Sequence, residues 1–160
     1  MTYLHTSAVL SEDRIYRYEL ERVWEYHRPT IAWVCLNPST ADENEDDPTL
    51  RKCIGFSKLW GYGALFLYNI FAYRATDPKK LRTVDIDIVG PDNNKCLYTI
   101  RYPLIAAWGC HGSFKYRGRE VLGLLRSSSK EVWSFLTDNK NGTPRHPLMT
   151  PYSMPIRRLF

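Results

Sequence analysis

The stretch Ile31-Ala32-Trp33-Val34-Cys35-Leu36-Asn37-Pro38 limits what this chain can fold into more than any other part of it. A short apolar run with β-branched Ile31 and Val34 reads as a buried strand. Pro38 ends it, because proline has no N–H to give a sheet and fixes its own φ. An acidic loop, Asp42 to Asp47, follows, and then a helix. Strand, polar loop and helix form the repeating unit of an open α/β sheet, in which the loops at the carboxyl ends of the strands form the ligand crevice.

The unit recurs along the chain. Asp47-Pro48 opens a helix, with Asp47 able to cap and Pro48 suited to the first helical position. Leu50, Cys53, Ile54 and Trp60 share a face of it, and Gly61 and Gly63 end it. Ala64 to Ile70 is a second core strand, almost continuously apolar as in a sheet covered on both faces. It runs into Phe71-Ala72-Tyr73-Arg74-Ala75-Thr76-Asp77-Pro78, where Asp77-Pro78 starts a short capped turn of helix. A helix is expected over Pro91 to Arg101, and a third core strand over Leu104 to Trp108, stopped by Gly109-Cys110-His111-Gly112. A helix over Tyr116 to Leu125 and a fourth strand over Glu131 to Leu136 follow. Ahead of all this, Tyr3 to Leu10 and Arg14 to Arg22 read as two strands around Ser11-Glu12-Asp13, the second alternating apolar and charged residues. The tail from Thr137 to Phe160, with Pro144, Pro147, Pro151, Pro155 and Asn141-Gly142, reads as irregular. The expected architecture is one domain, residues 1–160, with a central four-stranded parallel sheet between helical layers and an antiparallel strand pair at one edge.

Composition narrows the chemistry. The four cysteines, Cys35, Cys53, Cys96 and Cys110, make no C-x-x-C pair and no zinc spacing. No metal and no cofactor are expected, and the chain reads as cytosolic and free of structural disulfides. No signal peptide is expected, and no apolar run approaches the ~18 residues of a membrane span. The net charge of +5 is uneven: residues 1–80 hold 10 Lys+Arg and 11 Asp+Glu, residues 81–160 hold 12 and 6. A basic second half suits phosphate or nucleic-acid contact, and also suits an ordinary solvated surface.

Parallel strands share a direction, so their polar ends meet at one edge. That edge receives Asn37, Pro38 and Ser39; Asn69, Phe71, Tyr73 and Arg74; Gly109 and His111; and Arg145, His146 and Leu148. Asn37 can orient a water or read a base edge, since an amide both donates and accepts; it also suits a plain turn. His146 can stabilise charge developing on a ligand carbonyl, or be a surface loop histidine. Arg74 can grip a phosphate in a bidentate fork, or pair with Asp77. Phe71 and Tyr73 are candidates for stacking on a base. Asp46 and Asp47 could activate water, and the acidic loop could collect a cation, although capping accounts for Asp47 and no 12-residue calcium loop is present. Cys110 beside His111 is a poor thiol–imidazole pair, because adjacent residues in a tight turn rarely face each other.

Leu36-Asn37-Pro38-Ser39-Thr40-Ala41-Asp42, Asp47-Pro48-Thr49-Leu50-Arg51, Gly61-Tyr62-Gly63, the Asn69 to Pro78 block, Ala107-Trp108-Gly109 and Arg145-His146-Pro147-Leu148 together resemble the domain-of-unknown-function family numbered 1643. That family implies no activity. Asn37-Pro38-Ser39 after the first core strand and His146-Pro147-Leu148 after the last are also similar to the two motifs of the uracil-DNA glycosylase superfamily. That resemblance implies the superfamily's fold, a water positioned by Asn37, a pyrimidine carbonyl contacted by His146, and a wedge at Leu148 and Met149. Ser39 stands where that superfamily has Gly, and Leu148 where it has Ser. The expectation is glycosylase-like hydrolysis of an N-glycosidic bond to a nucleobase in DNA. The alternatives are a non-catalytic nucleobase- or nucleotide-binding module and an enzyme acting on a free nucleotide or nucleoside.

Overall fold

The computed structural model describes residues 2–128 and 130–160. Seven strands form one mixed sheet: β1 (His5–Leu10), β2 (Arg17–Val23), β3 (Thr30–Cys35), β4 (Ala64–Asn69), β5 (Leu104–Ala106), β6 (Val132–Phe135) and β7 (Ile156–Arg158). Their spatial order is β1-β2-β4-β3-β5-β6-β7. β4, β3, β5 and β6 run parallel. The β1–β2 pair joins antiparallel at the β4 edge, and β7 joins antiparallel at the β6 edge. The sheet is therefore extended at both edges rather than one. β7 comes from the tail read as irregular. Three residues between Pro155 and the terminus carry no strand periodicity of their own, and they become a strand only by pairing with β6.

Side chains of β3 alternate between two cores, as strand pleating requires. Ala32 and Val34 pack with Leu97, Val121 and Leu125, on the face covered by α2 (Asn93–Tyr98) and α3 (Arg117–Ser127). Ile31, Trp33 and Cys35 pack with Leu50, Cys53, Ile54 and Phe56 of α1 (Pro48–Leu59) on the other face. Asp47 caps α1 by accepting from the Leu50 N–H at 2.8 Å, with Pro48 following it. Asp77 caps the 3-10 helix Pro78–Arg82 in the same way, through Lys79 N–H at 2.9 Å. The helix expected over Pro91 to Arg101 is shorter than that. It ends at Thr99, whose hydroxyl bonds back to the Lys95 and Cys96 carbonyls and lets the chain turn into β5.

Among the parallel strands β3 lies between β4 and β5. The chain therefore leaves β3 toward one face, through α1, and leaves β5 toward the other, through α3. The two loops diverge and open a crevice between them, at the switch point where open α/β sheets bind ligands.

Candidate functional site

A cavity of about 540 Å3 occupies that crevice. Asn37 and Ser39 reach it from the loop after β3, Asp47 to Thr49 from the start of α1, and Ala75 and Thr76 from the loop after β4. Trp108 to His111 follow from β5, and Asn139, His146, Leu148 and Met149 from the loop after β6. The volume lies within the usual range for small-molecule sites. A larger but shallower depression of about 890 Å3 lies between the β1–β2 turn and α2 and holds none of the candidate residues.

The cavity walls are tied together by backbone bonds. Asn37 Nδ2 donates to the Pro38 carbonyl at 3.0 Å and to the Ala75 carbonyl at 2.8 Å. Ala75 N–H donates to the Pro38 carbonyl at 2.9 Å, closing the loop after β3 onto the loop after β4. With both amide protons spent, the Asn37 side chain offers its Oδ1 as a fixed acceptor.

His146 carries the complementary polarity. It caps the 3-10 helix Pro147–Met149, its Nδ1 accepting from the Leu148 N–H at 3.4 Å. Nδ1 is thus an acceptor, and the neutral ring holds its proton on Nε2. Burial, with His111 nearby, pushes the His146 pKa down to about 4, against an opposing pull from Asp47. At neutral pH the ring is an uncharged donor. Gly109 lets the imidazole sit where it does. A Cβ on Gly109 would stand 3.0 Å from the His146 Cβ, and its φ of +76° and ψ of −175° belong to backbone open essentially to glycine alone. The Gly109 N–H donates to the Pro144 carbonyl at 2.9 Å, which fixes the His146 loop against the end of β5.

The acidic loop is held by arginines. Arg22, only 1% exposed at its side chain, pairs with Asp46 at 2.9 Å and donates to the Glu21, Asp42 and Glu45 carbonyls. Arg14 pairs with Glu43 at 3.3 Å and Asp42 at 3.8 Å. Tyr3 donates to the Asp46 carboxylate. Among the described residues no group of His, Cys, Asp and Glu could hold a metal ion. Asp46 is held by Arg22 and Tyr3, and Asp47 caps α1 through Oδ1 while lining the cavity.

Of the residues expected at this edge, Asn37, Ser39, Gly109, His111, His146 and Leu148 line the cavity together. Pro38 stands behind them and contributes its carbonyl. Phe71 does not reach the cavity. It is 0% exposed, packed in the core with its ring 6.2 Å from that of Phe114, so it cannot stack on a ligand. Asn69 is buried at the end of β4, its carbonyl taking a bond from Asn93. Tyr73 and Arg74 turn into a neighbouring cavity. Arg145 points away and donates to the Thr137 hydroxyl at 2.9 Å. The sequence reading missed Trp108, Thr76 and Asn139. Thr76 lies inside the Asn69 to Pro78 block that crosses the edge and was within reach of the same argument, whereas Asn139 sits in a loop with no local signal. Leu148 and Met149 stand at the rim, 46% and 77% exposed.

A family model described as "Protein of unknown function (DUF1643)" matches residues 17–148, from the first residue of β2 to the 3-10 helix that His146 caps. The chain belongs to this family. The match takes in every residue of the cavity wall except Met149. Comparison with curated proteins and comparison with solved structures return no match. Among the described residues no helix is long and apolar enough to cross a membrane.

Proposed function

We propose that this DUF1643 protein hydrolyses the N-glycosidic bond of a nucleobase in DNA, with the base seated in the crevice cavity. The observation that carries the reading is the polarity left to the two motif residues that line one cavity: both Asn37 amide protons are spent on backbone carbonyls, which leaves Oδ1, and His146 Nδ1 accepts from the Leu148 N–H, which leaves Nε2–H.

The chemistry follows from those atoms. Cleavage leaves negative charge on the departing base. The Nε2–H of His146 donates to a carbonyl oxygen of that base, and a neutral imidazole stabilises the growing anion without having to be recharged in the step. Asn37 Oδ1 accepts a hydrogen bond from the attacking water and holds an oxygen lone pair toward the sugar C1′; the O–C1′ bond forms as the C1′–N bond breaks, and the water's proton passes to the departing base anion through solvent. The start of α1 at Pro48 and Thr49 adds the positive end of a helix dipole to the same cavity. A base inside a duplex must first be flipped out, and exposed Leu148 and Met149 at the rim have the apolar character of a wedge that fills the gap. In this reading the parallel strands and their loops form a three-layer fold of the uracil-DNA glycosylase kind. Base stacking falls to the exposed ring of His111 in place of Phe71.

The test is a panel of oligonucleotides carrying modified bases, scored for abasic sites in single turnover. The expected result is base release from at least one substrate. Asn37→Ala and His146→Ala should each slow that release by about 10²–10³ while changing substrate affinity much less. Release undiminished in both variants puts the chemistry on other residues. Tight binding of free nucleotides with no base release from any substrate replaces the enzyme by a binding module.

A further inference from the structure

Beside the crevice lies a second cavity, of about 570 Å3, whose lining includes Arg14, Ser39, Thr40, Glu45, Arg74 and Lys80. It shares Ser39, Ala75 and Thr76 with the crevice cavity, so the two are separated by one wall. Their cations differ in what they already do. Arg14 is taken by Glu43 and Asp42. Arg74 makes no ion pair among the described residues, and none with Asp77. Its Nη1 reaches only the Arg14 carbonyl, at 3.4 Å, and its Nε is buried with no acceptor. A buried guanidinium N–H without an acceptor is costly, and such orphans call for a missing partner. Lys80 is exposed and has no carboxylate within ion-pair distance among the described residues. Ser39, Thr40 and Thr76 line the same space.

We infer that this second cavity is a phosphate site, in which Arg74 grips the phosphate next to the nucleoside whose base occupies the crevice. The chemistry fits a phosphate group: a planar fork with an unpartnered N–H, a flexible ammonium from Lys80, and hydroxyl-bearing Ser39, Thr40 and Thr76 in the same lining. Glu45 opposes the charge and moderates the affinity. The shared wall of Ser39, Ala75 and Thr76 puts the two cavities side by side, as a base and its own backbone phosphate would need. The assignment rests on the crevice being a nucleobase pocket, but its test uses binding and not base release. The phosphate can belong to a DNA strand or to a free nucleotide.

Two binding experiments separate these sources. The first measures affinity for a single-stranded oligonucleotide with an abasic-site analogue. The native backbone is compared with neutral methylphosphonate linkages placed one at a time on the 5′ and 3′ sides of the site. The second compares deoxynucleoside 5′-monophosphates with the corresponding deoxynucleosides. Removing the phosphate charge should weaken binding to the wild type at least about 10-fold in one arm, the scale of a lost charge-assisted hydrogen bond. The loss falls in the first arm if the ligand is DNA and in the second if it is a free nucleotide. The same removal should matter less than about 2-fold in Arg74→Ala. Arg74→Lys should keep part of the effect, and Glu45→Gln should tighten binding of the phosphorylated probe only. Equal losses in wild type and Arg74→Ala, or no phosphate effect in the wild type in either arm, overturn the site. Base release that fails while the Arg74 effect stands refutes the hydrolase reading and leaves the phosphate site intact.

Discussion

Holding His146 neutral should tax the fold in acid, and the size of that tax follows from the structure. The imidazole has a pKa of about 4 when folded, pushed down first by burial, and about 6.5 when unfolded. Between those values the unfolded chain binds a proton that the folded one refuses, so stability falls as pH drops through this window and is fully present above it. At pH 5 the difference amounts to about 1–2 kcal/mol, the lower figure allowing for solvent screening at the open side of the cavity. The perturbation is His146→Gln, which keeps a polar side chain and removes the titration. Urea denaturation of wild type and variant at pH 7.5 and pH 5.0 isolates the effect of His146 together with its coupling to Asp47 and His111, since the remaining carboxylates and histidines contribute equally to both proteins. The expected result is a larger loss of stability on acidification in the wild type, by the amount above. Identical losses in the two proteins would refute the reasoning. They would mean that the ring is protonated as readily in the folded state as in water, and the neutral-donor role would go with it.

Gly109→Ala should destabilise the protein by about 1–3 kcal/mol, through a backbone conformation that alanine resists and contact with the His146 Cβ; thermal unfolding measures it, and a variant as stable as wild type refutes it. Arg22→Met should cost about 3 kcal/mol, because it removes the ion-pair partner of Asp46, which keeps only Tyr3, and leaves three carbonyls without the guanidinium that now serves them; denaturant unfolding is the check, and a loss under about 1 kcal/mol would show that the acidic loop is held by other means. If the partner is DNA, log affinity should fall linearly with log salt concentration, the slope steepening by about 0.7–0.9 for each phosphate neutralised, as read by fluorescence anisotropy. Arg74→Ala should lower that slope by about one, and an unchanged slope counts against an Arg74–phosphate contact.

Local chemistry was legible in the chain itself. Asp47-Pro48 and Asp77-Pro78 start helices where the sequence pattern says, because a cap and an N1 proline act within one turn and need nothing from the rest of the molecule. The parallel strands were legible as short apolar runs; β3 ends at Cys35 ahead of Pro38 and β5 at Ala106 ahead of Gly109, while β4 and β6 end without either residue. Even the meeting of Asn37 with Gly109 and His146 could be reasoned out, since parallel strands end on one edge.

What partner each side chain finds was settled only in three dimensions. Phe71 and Tyr73 follow the same strand two residues apart, and nothing local distinguishes them. Phe71 meets Phe114 from the β5 loop and is buried, while Tyr73 turns toward the second cavity. Asp46 belongs to Arg22, 24 residues earlier in the chain, and Arg74 is left without Asp77, its close neighbour in sequence. His146 owes its lowered pKa to burial and to His111 from another loop. β7 exists because β6 presents it an open edge. Caps, turns and strand ends are decided by residues a few positions apart, so sequence carries them. Burial, ion pairing and the charge state of a histidine depend on groups tens of residues away, and only the folded chain brings those groups within reach.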